Sequence, residues 1–262
     1  MGCIIAISNQ KGGIGKTTTA TALTEALGIA GYAVLLIDAD PQGNATATAG
    51  IIGTDAPTLR EVLTGTTPAQ AAIVRSLTLQ ADILPSSPML AAIDKELGDA
   101  PGREYRMKET IAEQAAAYDF IIIDTPPALG TLTVNALTAA DYLIIPTTAD
   151  NYALMGIGQL YLTISAVKKY CNPALKIAGL LITRHSARTV LSRELAEAVE
   201  QTAAAMGTHS FLTAIREGVA VREAQAQRMG LFQHAPNSKP AADYKSFAEE
   251  VIKVCDGGKS ND

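Results

Sequence analysis

The sequence lacks several features that define particular classes of protein. Among its 262 residues there is no tryptophan, aromatic residues make up 5%, and there are three cysteines. Those cysteines lie far apart without a Cys-x-x-Cys spacing, so the sequence predicts neither a disulfide framework nor a zinc site. No apolar run approaches the roughly 18 residues that span a bilayer, and no signal peptide is evident. We therefore expect a soluble, cytoplasmic protein without a membrane partner.

An excess of positive charge is also missing. The formal net charge is −5, which argues against a protein that simply coats nucleic acid. Charge is unevenly distributed, however, because residues 184–228 contain six Arg, five Glu and no Lys. An arginine cluster on one face could still contact DNA phosphates, since the local field matters more than the total charge. The 48% hydrophobic content is sufficient for the core of one large domain.

A glycine-rich segment, residues 9–19 (NQKGGIGKTTT), organises the chain. It follows an apolar run at 3–7 that predicts a buried strand, and it precedes a segment with helical spacing. A glycine-rich turn between strand and helix lets backbone N–H groups and the helix N-terminus bind phosphate. Lys16 is positioned to reach the β- and γ-phosphates of ATP, and the Thr17 hydroxyl to bind Mg²⁺. The predicted ATP-binding residues in this loop are Lys11, Gly12, Gly13, Ile14, Gly15, Lys16, Thr17 and Thr18.

This segment departs from the usual phosphate-loop pattern, G-x-x-x-x-G-K-[ST], because Gln10 occupies the place of the first glycine. The remaining pattern, K-G-G-x-G-K-T-T, contains a second lysine, Lys11. This deviant form is found in a family of dimeric ATPases. The alternative is a glycine turn with two incidental lysines, but strand, turn, Gly-Lys-Thr and helix occurring together favour the phosphate loop.

Predicted strands and helices alternate along the chain, which favours an α/β fold with a single doubly wound, mainly parallel sheet. We expect one domain over residues 1–255 and a polar, disordered tail at 256–262. The predicted strands are 3–7, 32–38, 81–85, 120–123, 142–146, 177–183 and 211–215. The predicted helices are 18–30, 58–65, 67–76, 88–97, 104–117, 131–140, 153–170, 189–205, 219–229 and 241–255.

Three carboxylates follow predicted strands at the edge where such sheets bind ligands. The strand at 120–123 ends at Asp124, which we interpret as a Walker B aspartate holding Mg²⁺ through water. Asp38 and Asp40 lie at the end of the second strand, where one can face the metal and the other can position the attacking water. We assign Asp38 to the metal with Thr17 and Asp124. The alternative for each carboxylate is that it caps the following turn.

Several motifs in order resemble the ParA/Soj-type chromosome and plasmid partition ATPases. They are KGGIGKTTT, DADPQGNAT, FIIIDTPPALG with the following NALTAAD, IPTTADNYALMGI and GLLITRHSART. The resemblance extends from residue 3 to about residue 250. The start at the first strand resembles the small members of the family, which lack an N-terminal helix-turn-helix.

The resemblance implies an ATPase switch with Mg²⁺ as its metal. ATP binding would drive a homodimer in which Lys11 reaches the partner subunit's phosphates, as an arginine finger does. The ATP-bound dimer would bind double-stranded DNA without sequence preference and so associate with the nucleoid. A ParB-like partner would stimulate hydrolysis and release the protein from DNA. The predicted catalytic residues are Lys11, Lys16 and Asp40, the last helping to activate water.

The resemblance also implies DNA contacts, although this sequence departs from the family there. Arg188 matches a family arginine that binds DNA, whereas the position of a second such arginine holds Ala220. Arg216 and Arg222 are nearby substitutes, so we assign Arg188, Arg216 and Arg222 to DNA. The segment containing Arg216 and Gly218 matches a family segment beside adenine, and we assign both residues to ATP as well. Any of these arginines could instead be a solvated surface charge.

Other readings of the sequence remain open. A MinD-like or other cargo-positioning ATPase shares the phosphate loop, although the acidic C-terminal segment is unlike the basic amphipathic helix that binds membranes. An ATP-dependent ligase acting on a small carboxylic acid belongs to the same superfamily. A dinucleotide-binding oxidoreductase fits the fold alone, but such a site requires neither Lys16-Thr17 nor a strand ending at Asp124.

Overall fold

A mixed sheet lies at the centre of this computed structural model. The structure describes residues 2–51, 53, 56–186 and 190–259, without the side chains of residues 151–156, 190–193, 195, 258 and 259. Within these residues the sheet has seven strands in the order β3-β4-β2-β5-β1-β6-β7, all parallel except β3, which is antiparallel to β4. The strands are β1 (Cys3–Ile7), β2 (Val34–Asp38), β3 (Val74–Ser76), β4 (Ala81–Leu84), β5 (Phe120–Asp124), β6 (Tyr142–Thr148) and β7 (Lys176–Thr183). The predicted doubly wound, mainly parallel α/β fold is confirmed.

Helices cover both faces of the sheet. They are α1 (Lys16–Ile29), α2 (Asn44–Thr48), α3 (Leu59–Leu63), α4 (Ala69–Ala72), α5 (Ile93–Leu97), α6 (Arg106–Gln114), α7 (Thr131–Ala139), α8 (Asn151–Tyr170), α9 (Val190–Ala205), α10 (Val219–Ala226), α11 (Leu231–His234) and α12 (Lys239–Lys259). Short 3₁₀ helices precede α5 and α6 at Pro88–Ala92 and Arg103–Tyr105. Among the described residues, no helix is both long and apolar enough to cross a membrane.

The three central strands explain why the fold forms. Every residue of β1, β2 and β5 is buried, as expected for parallel strands that helices cover on both faces. One face of the sheet packs against α1 and α12, through residues such as Leu23 and Phe247. The other face packs against α6, α7 and α8, through residues such as Ile111 and Ile164. The carboxyl ends of the parallel strands therefore meet at one edge, where the phosphate loop begins.

Three predicted elements are corrected by the structure. The predicted helix 67–76 ends at Ala72, and its last residues form the antiparallel edge strand β3. Residues 211–215 do not form a strand. Only the two ends of the segment contact β7, where the Phe211 N–H donates to Leu180 and the Ile215 N–H donates to Ile182. The Glu250 carboxylate accepts the backbone N–H groups of Leu212 and Thr213 and so turns them away from β7. Helix α12 continues to Lys259, so residues 256–259 of the expected disordered tail are helical.

The expectation of no disulfide is also wrong for one pair of cysteines. Cys3, the first residue of β1, forms a disulfide with Cys255 in the last turns of α12. Both residues are buried, and their Cα atoms are 6.1 Å apart. Sequence spacing could not reveal this pair, because the two residues meet only after α12 packs beside β1.

Candidate nucleotide site

The phosphate loop connects β1 to α1 in a conformation that requires glycine. Gly13 and Gly15 have φ angles of 74° and 89°, the left-handed region that side chains disfavour. Gly15 caps the N-terminus of α1, and Lys16 is its first residue. Gly12 and Gly13 are exposed, whereas Ile14 is buried beneath the loop. The backbone of this loop is thus open to solvent on the side where a phosphate would approach.

Side chains from neighbouring strands hold the loop from below. The Thr183 hydroxyl, at the end of β7, lies 2.7 Å from the carbonyl oxygen of Ile14 and 3.1 Å from that of Thr147. Asn9 is fully buried, and its amide donates to the carbonyl of Pro146 at 2.8 Å. The Asn9 side-chain oxygen accepts the backbone N–H of Lys11 at 3.2 Å. The loop is therefore anchored to the ends of β6 and β7 independently of any nucleotide.

Lys16 points into the site from the start of α1. The residue is buried, and its Nζ donates to the backbone oxygen of Lys11 at 3.1 Å. Burial lowers the pKa of Lys16, while Asp124 and Asp40 nearby act in the opposite direction. An ammonium group at this point carries a positive charge towards the open face of the loop, where it can bind phosphate.

Asp124 has the properties of a metal-binding carboxylate. It is fully buried, and within the described residues neither of its carboxylate oxygens forms a hydrogen bond. Burial, followed by the proximity of Asp38, raises its pKa well above the usual value, and Thr17 and Lys16 lie close enough to oppose that rise. Buried polar atoms without partners are rare and indicate a missing ion or water. Mg²⁺ prefers oxygen ligands and retains several waters, so Asp124 and the Thr17 hydroxyl fit this metal.

Asp38 is held more firmly than Asp124. Its Oδ1 accepts the backbone N–H of Asp40 at 3.1 Å, and its Oδ2 accepts the Thr46 N–H and hydroxyl, each at 2.7 Å. Burial raises the pKa of Asp38 to about 6. With both oxygens already bonded, Asp38 fits an indirect contact with the metal, through water, better than a direct one. No cluster of three or more His, Cys, Asp or Glu able to hold a metal occurs among the described residues, so the magnesium would also need water and phosphate oxygens.

Asp40 lines the cavity in front of the phosphate loop. Its side chain also accepts the backbone N–H of Gln42 at 3.0 Å. Asp40 therefore caps the turn and lies at the site, and the two interpretations are compatible. The Ser86 hydroxyl donates to the Asp40 carbonyl at 2.7 Å, and the Ser86 N–H donates to Thr46 at 2.9 Å. The segment after β4 thus fixes the turn that carries Asp40.

Lys11 does not point into the site. Its Nζ lies 2.8 Å and 2.7 Å from the two carboxylate oxygens of Asp150, between β6 and α8. The two side chains are 33% and 36% exposed. The predicted catalytic lysine is therefore paired within its own chain in this structure.

A cavity of about 670 Å³ extends from the phosphate loop to α10 and α12. The loop glycines, Lys16, Thr17 and Asp40 line one end, and Ile215–Gly218, Arg222 and Tyr244 line the other. A volume of this size matches a typical small-molecule site. The predicted ATP residues Arg216 and Gly218 thus lie in the same cavity as the phosphate loop.

The arginines assigned to DNA are placed differently from one another. Arg188 lies outside the described residues. The Arg216 guanidinium pairs with the Asp243 carboxylate, with its Nε 2.8 Å from Oδ2. The Arg222 side chain is exposed at the rim of the cavity. For Arg216 and Arg222 this location favours contact with a nucleotide, and their assignment to DNA stays a prediction.

Several residues of the site were missed by the sequence interpretation. Thr183 ends β7 and Asp150 follows β6, at the same edge as Asp38 and Asp124, so the strand-end rule could have identified them. Ser86 follows β4 in the same way. Asp243 carries no such signal, because it belongs to the first turns of α12 and reaches the site only through packing.

Comparison with known proteins defines the class of this protein. Residues 2–177 match the family model described as an AAA domain. The chain is 39% identical to the sporulation initiation inhibitor protein Soj of Bacillus subtilis, covering 96% of this chain and 98% of Soj. It is 38% identical to the chromosome partitioning protein ParA of Caulobacter vibrioides, covering 95% of this chain and 93% of ParA.

Solved structures agree with this class. Cobyrinic acid a,c-diamide synthase from Mycobacterium smegmatis, with bound ADP and magnesium, has a TM-score of 0.85 and 34% identity, with coverage of 98% and 97%. The cell division ATPase MinD of Pyrococcus furiosus has a TM-score of 0.80 and 28% identity, with coverage of 97% and 100%. The chain therefore belongs to the ParA/Soj-type family of ATPases. It hydrolyses ATP, with ATP and Mg²⁺ as cofactors.

Proposed function

We propose that this chain is a DNA-segregation ATPase that cycles between an ATP-bound dimer on DNA and a released state. The observation that carries the proposal is near-full-length similarity to partition proteins, together with a second loop lysine, Lys11, that lies outside its own phosphate site. In the dimer, Lys11 of each protomer reaches the phosphates bound by its partner. A ParB-like protein stimulates hydrolysis and thereby ends DNA binding.

The residues of the site have separate tasks in this proposal. The loop backbone and Lys16 bind the phosphates. The Thr17 hydroxyl, Asp124 and Asp38 would hold Mg²⁺, which would supply charge neutralisation at the phosphates. Asp40 accepts a proton from, or orients, the attacking water. Lys11 adds positive charge to the transition state only when two protomers meet, so hydrolysis depends on dimer formation.

The test is retention of the protein on non-specific duplex DNA with ATP, with ADP and without nucleotide, over a salt series. Phosphate contacts release counterions, so binding should weaken steeply as salt rises. We expect retention with ATP alone, lost in Lys16→Ala and in Arg188→Glu. Arg75→Glu is the matched control, because it makes the same change of charge at an exposed arginine of β3 that does not line the nucleotide cavity. A protein that dimerises with ATP but is not retained at low salt would overturn the DNA assignment.

The similarity to cobyrinic acid a,c-diamide synthase supports a second candidate, an ATP-dependent ligase acting on a carboxylic acid. A ligase activates its substrate with ATP and forms an amide product. The discriminating measurement is mass spectrometry of a reaction containing ATP, glutamine and cobyrinic acid. An amide product that requires Lys16 would replace the partition proposal, and ATP consumption without product would support partition.

A further inference from the structure

The contact between Lys11 and Asp150 joins the phosphate loop to the end of β6. The Lys11 ammonium binds both carboxylate oxygens of Asp150, at 2.8 Å and 2.7 Å. The Thr148 hydroxyl donates to Asp150 Oδ2 at 2.5 Å, and the Asp150 N–H donates to the Thr148 carbonyl at 2.8 Å. The lysine therefore meets a carboxylate that its own strand end already orients.

A second contact fixes the lysine from the backbone side. Asn9 accepts the Lys11 N–H and donates to the carbonyl of Pro146 on β6. The backbone and the side chain of Lys11 are thus both tied to the carboxyl end of β6. Lys16, five residues later, has a different environment and points into the nucleotide cavity. In the single protomer, Lys16 therefore points into the nucleotide cavity and Lys11 points away from it.

We propose that Asp150 is a positioning residue that holds Lys11 within its own protomer. On dimer formation, the phosphates bound by the partner would replace the Asp150 carboxylate as the contact of Lys11. This inference rests on the proposed function, because it assumes that Lys11 acts across a dimer. Asp150 competes with the partner's phosphates for the same ammonium group. In a protomer without a partner, Asp150 consequently disfavours contact between Lys11 and the protomer's own nucleotide, which helps to couple hydrolysis to dimer formation.

The strength of this competition follows from the partial exposure of the pair. Partly exposed ion pairs contribute modestly to stability, so we expect Asp150 to favour the held position of Lys11 about threefold in each protomer. Both protomers must release Lys11 when a dimer forms, so the two effects multiply to roughly tenfold in the dimer dissociation constant. An effect of this size suits a switch, because a much stronger ion pair would prevent dimer formation at ordinary protein concentration.

The first experiment measures the ion pair without reference to dimers. Nucleotide-free protein is treated briefly with acetic anhydride, and acetylation of Lys11 is measured by mass spectrometry. We expect Asp150→Asn to raise the rate at Lys11 about threefold, with Asp150→Glu close to the parent. Asp99→Asn is the control, because its exposed carboxylate makes only a 3.9 Å contact with Arg103. Equal rates at Lys11 in the parent and Asp150→Asn would overturn the inference.

The second experiment measures ATP-dependent dimerisation by analytical ultracentrifugation. We expect Asp150→Asn to dimerise at a concentration roughly tenfold lower than the parent, and Lys11→Ala to remove that difference in the double variant. A parent that forms no dimer with ATP overturns the proposed function. A parent that dimerises as well as or better than Asp150→Asn overturns the holding role of Asp150 while the proposed function stands.

Discussion

Asp38 and Asp124 occupy the same register position on the adjacent parallel strands β2 and β5. Both are fully buried, and burial raises the pKa of each. Two carboxylates in such proximity cannot both ionise without cost unless a cation lies between or beside them. The fold thus concentrates negative charge at one point of the sheet edge, next to Thr17, at the expense of its own stability.

Replacement of Asp124 by asparagine should stabilise the nucleotide-free protein. The amide has nearly the shape of the carboxyl group but no charge, so we expect the free energy of unfolding to rise by about 1–2 kcal/mol at pH 7. ATP hydrolysis should fall to background, because the Mg²⁺ ligand is lost. Urea denaturation and phosphate release provide the two measurements. Asp99→Asn should change neither, and a loss of stability in Asp124→Asn would contradict this account of the site.

Removal of the Thr183 hydroxyl should weaken nucleotide binding without unfolding the protein. Thr183→Val keeps the shape of the side chain but loses the hydrogen bond to Ile14 in the phosphate loop. We expect the dissociation constant for ATP to rise about tenfold, since one buried hydrogen bond is worth about 1–1.5 kcal/mol. Isothermal titration calorimetry checks this value. Thr183→Ser retains the hydroxyl and should bind ATP like the parent, and equal loss in both variants would indicate packing instead.

Glu25 gives the stability a pH dependence of known sign. This buried residue of α1 accepts the backbone N–H groups of Phe232 and Gln233, at 3.0 Å and 2.8 Å. Burial raises its pKa, and those hydrogen bonds oppose the rise only in part. The native state therefore keeps the proton to a higher pH than the unfolded chain, where the pKa is about 4.3. As pH rises through this window, the contribution of Glu25 to the free energy of unfolding falls.

The comparison of the parent with Glu25→Gln isolates this effect. Urea denaturation from pH 4 to pH 7 should show the parent losing stability relative to Glu25→Gln as pH increases. Glu25→Ala should cost about 2–3 kcal/mol near pH 4, because two buried N–H groups lose their acceptor, and the cost should fall as pH rises. If the free energy of unfolding of the parent minus that of Glu25→Gln stays constant or rises with pH, the Glu25 pKa is not raised.

Reduction of the Cys3–Cys255 disulfide should lower the thermal stability. The bond closes a loop across a sequence separation of 252 residues, and closure of so long a loop contributes about 3–5 kcal/mol through the unfolded chain. Differential scanning fluorimetry with and without dithiothreitol should show a lower melting temperature after reduction. Cys255→Ser should melt at the reduced temperature under both conditions. Cys171→Ser should keep the sensitivity to dithiothreitol, because Cys171 is the free cysteine.

The sequence was sufficient for the features that local patterns encode. The strands ending at Asp38 and Asp124 are continuous aliphatic runs, and their burial on both faces follows from that composition. The phosphate loop was identifiable because glycine, lysine and threonine occur there at fixed spacing between a strand and a helix. Because the carboxyl ends of parallel strands share one edge of a sheet, these local patterns are enough to locate the site.

Other features depend on tertiary packing and were not predictable in this way. Strand β3 contains three residues, too few for a period to appear, and it forms because β4 offers a free edge. The segment at 211–215 has strand-like composition, but Glu250 in α12 accepts the N–H groups of Leu212 and Thr213 in its middle. Likewise, the pairing of Lys11 with Asp150 joins residues 139 positions apart. Such contacts follow from the strand order, which local sequence patterns do not encode.

The position of β1 has a consequence for the order of events during synthesis. β1 leaves the ribosome before the other strands of the sheet, yet its neighbours are β5 and β6, more than a hundred residues later. The phosphate loop also rests on Thr183, and Tyr244 of α12 lines the cavity. Because Thr183 and Tyr244 are needed to complete the loop support and the cavity, we expect a nascent chain to bind nucleotide tightly only after α12 has been translated. ATP can therefore stabilise the finished protein but cannot guide the folding of its first half.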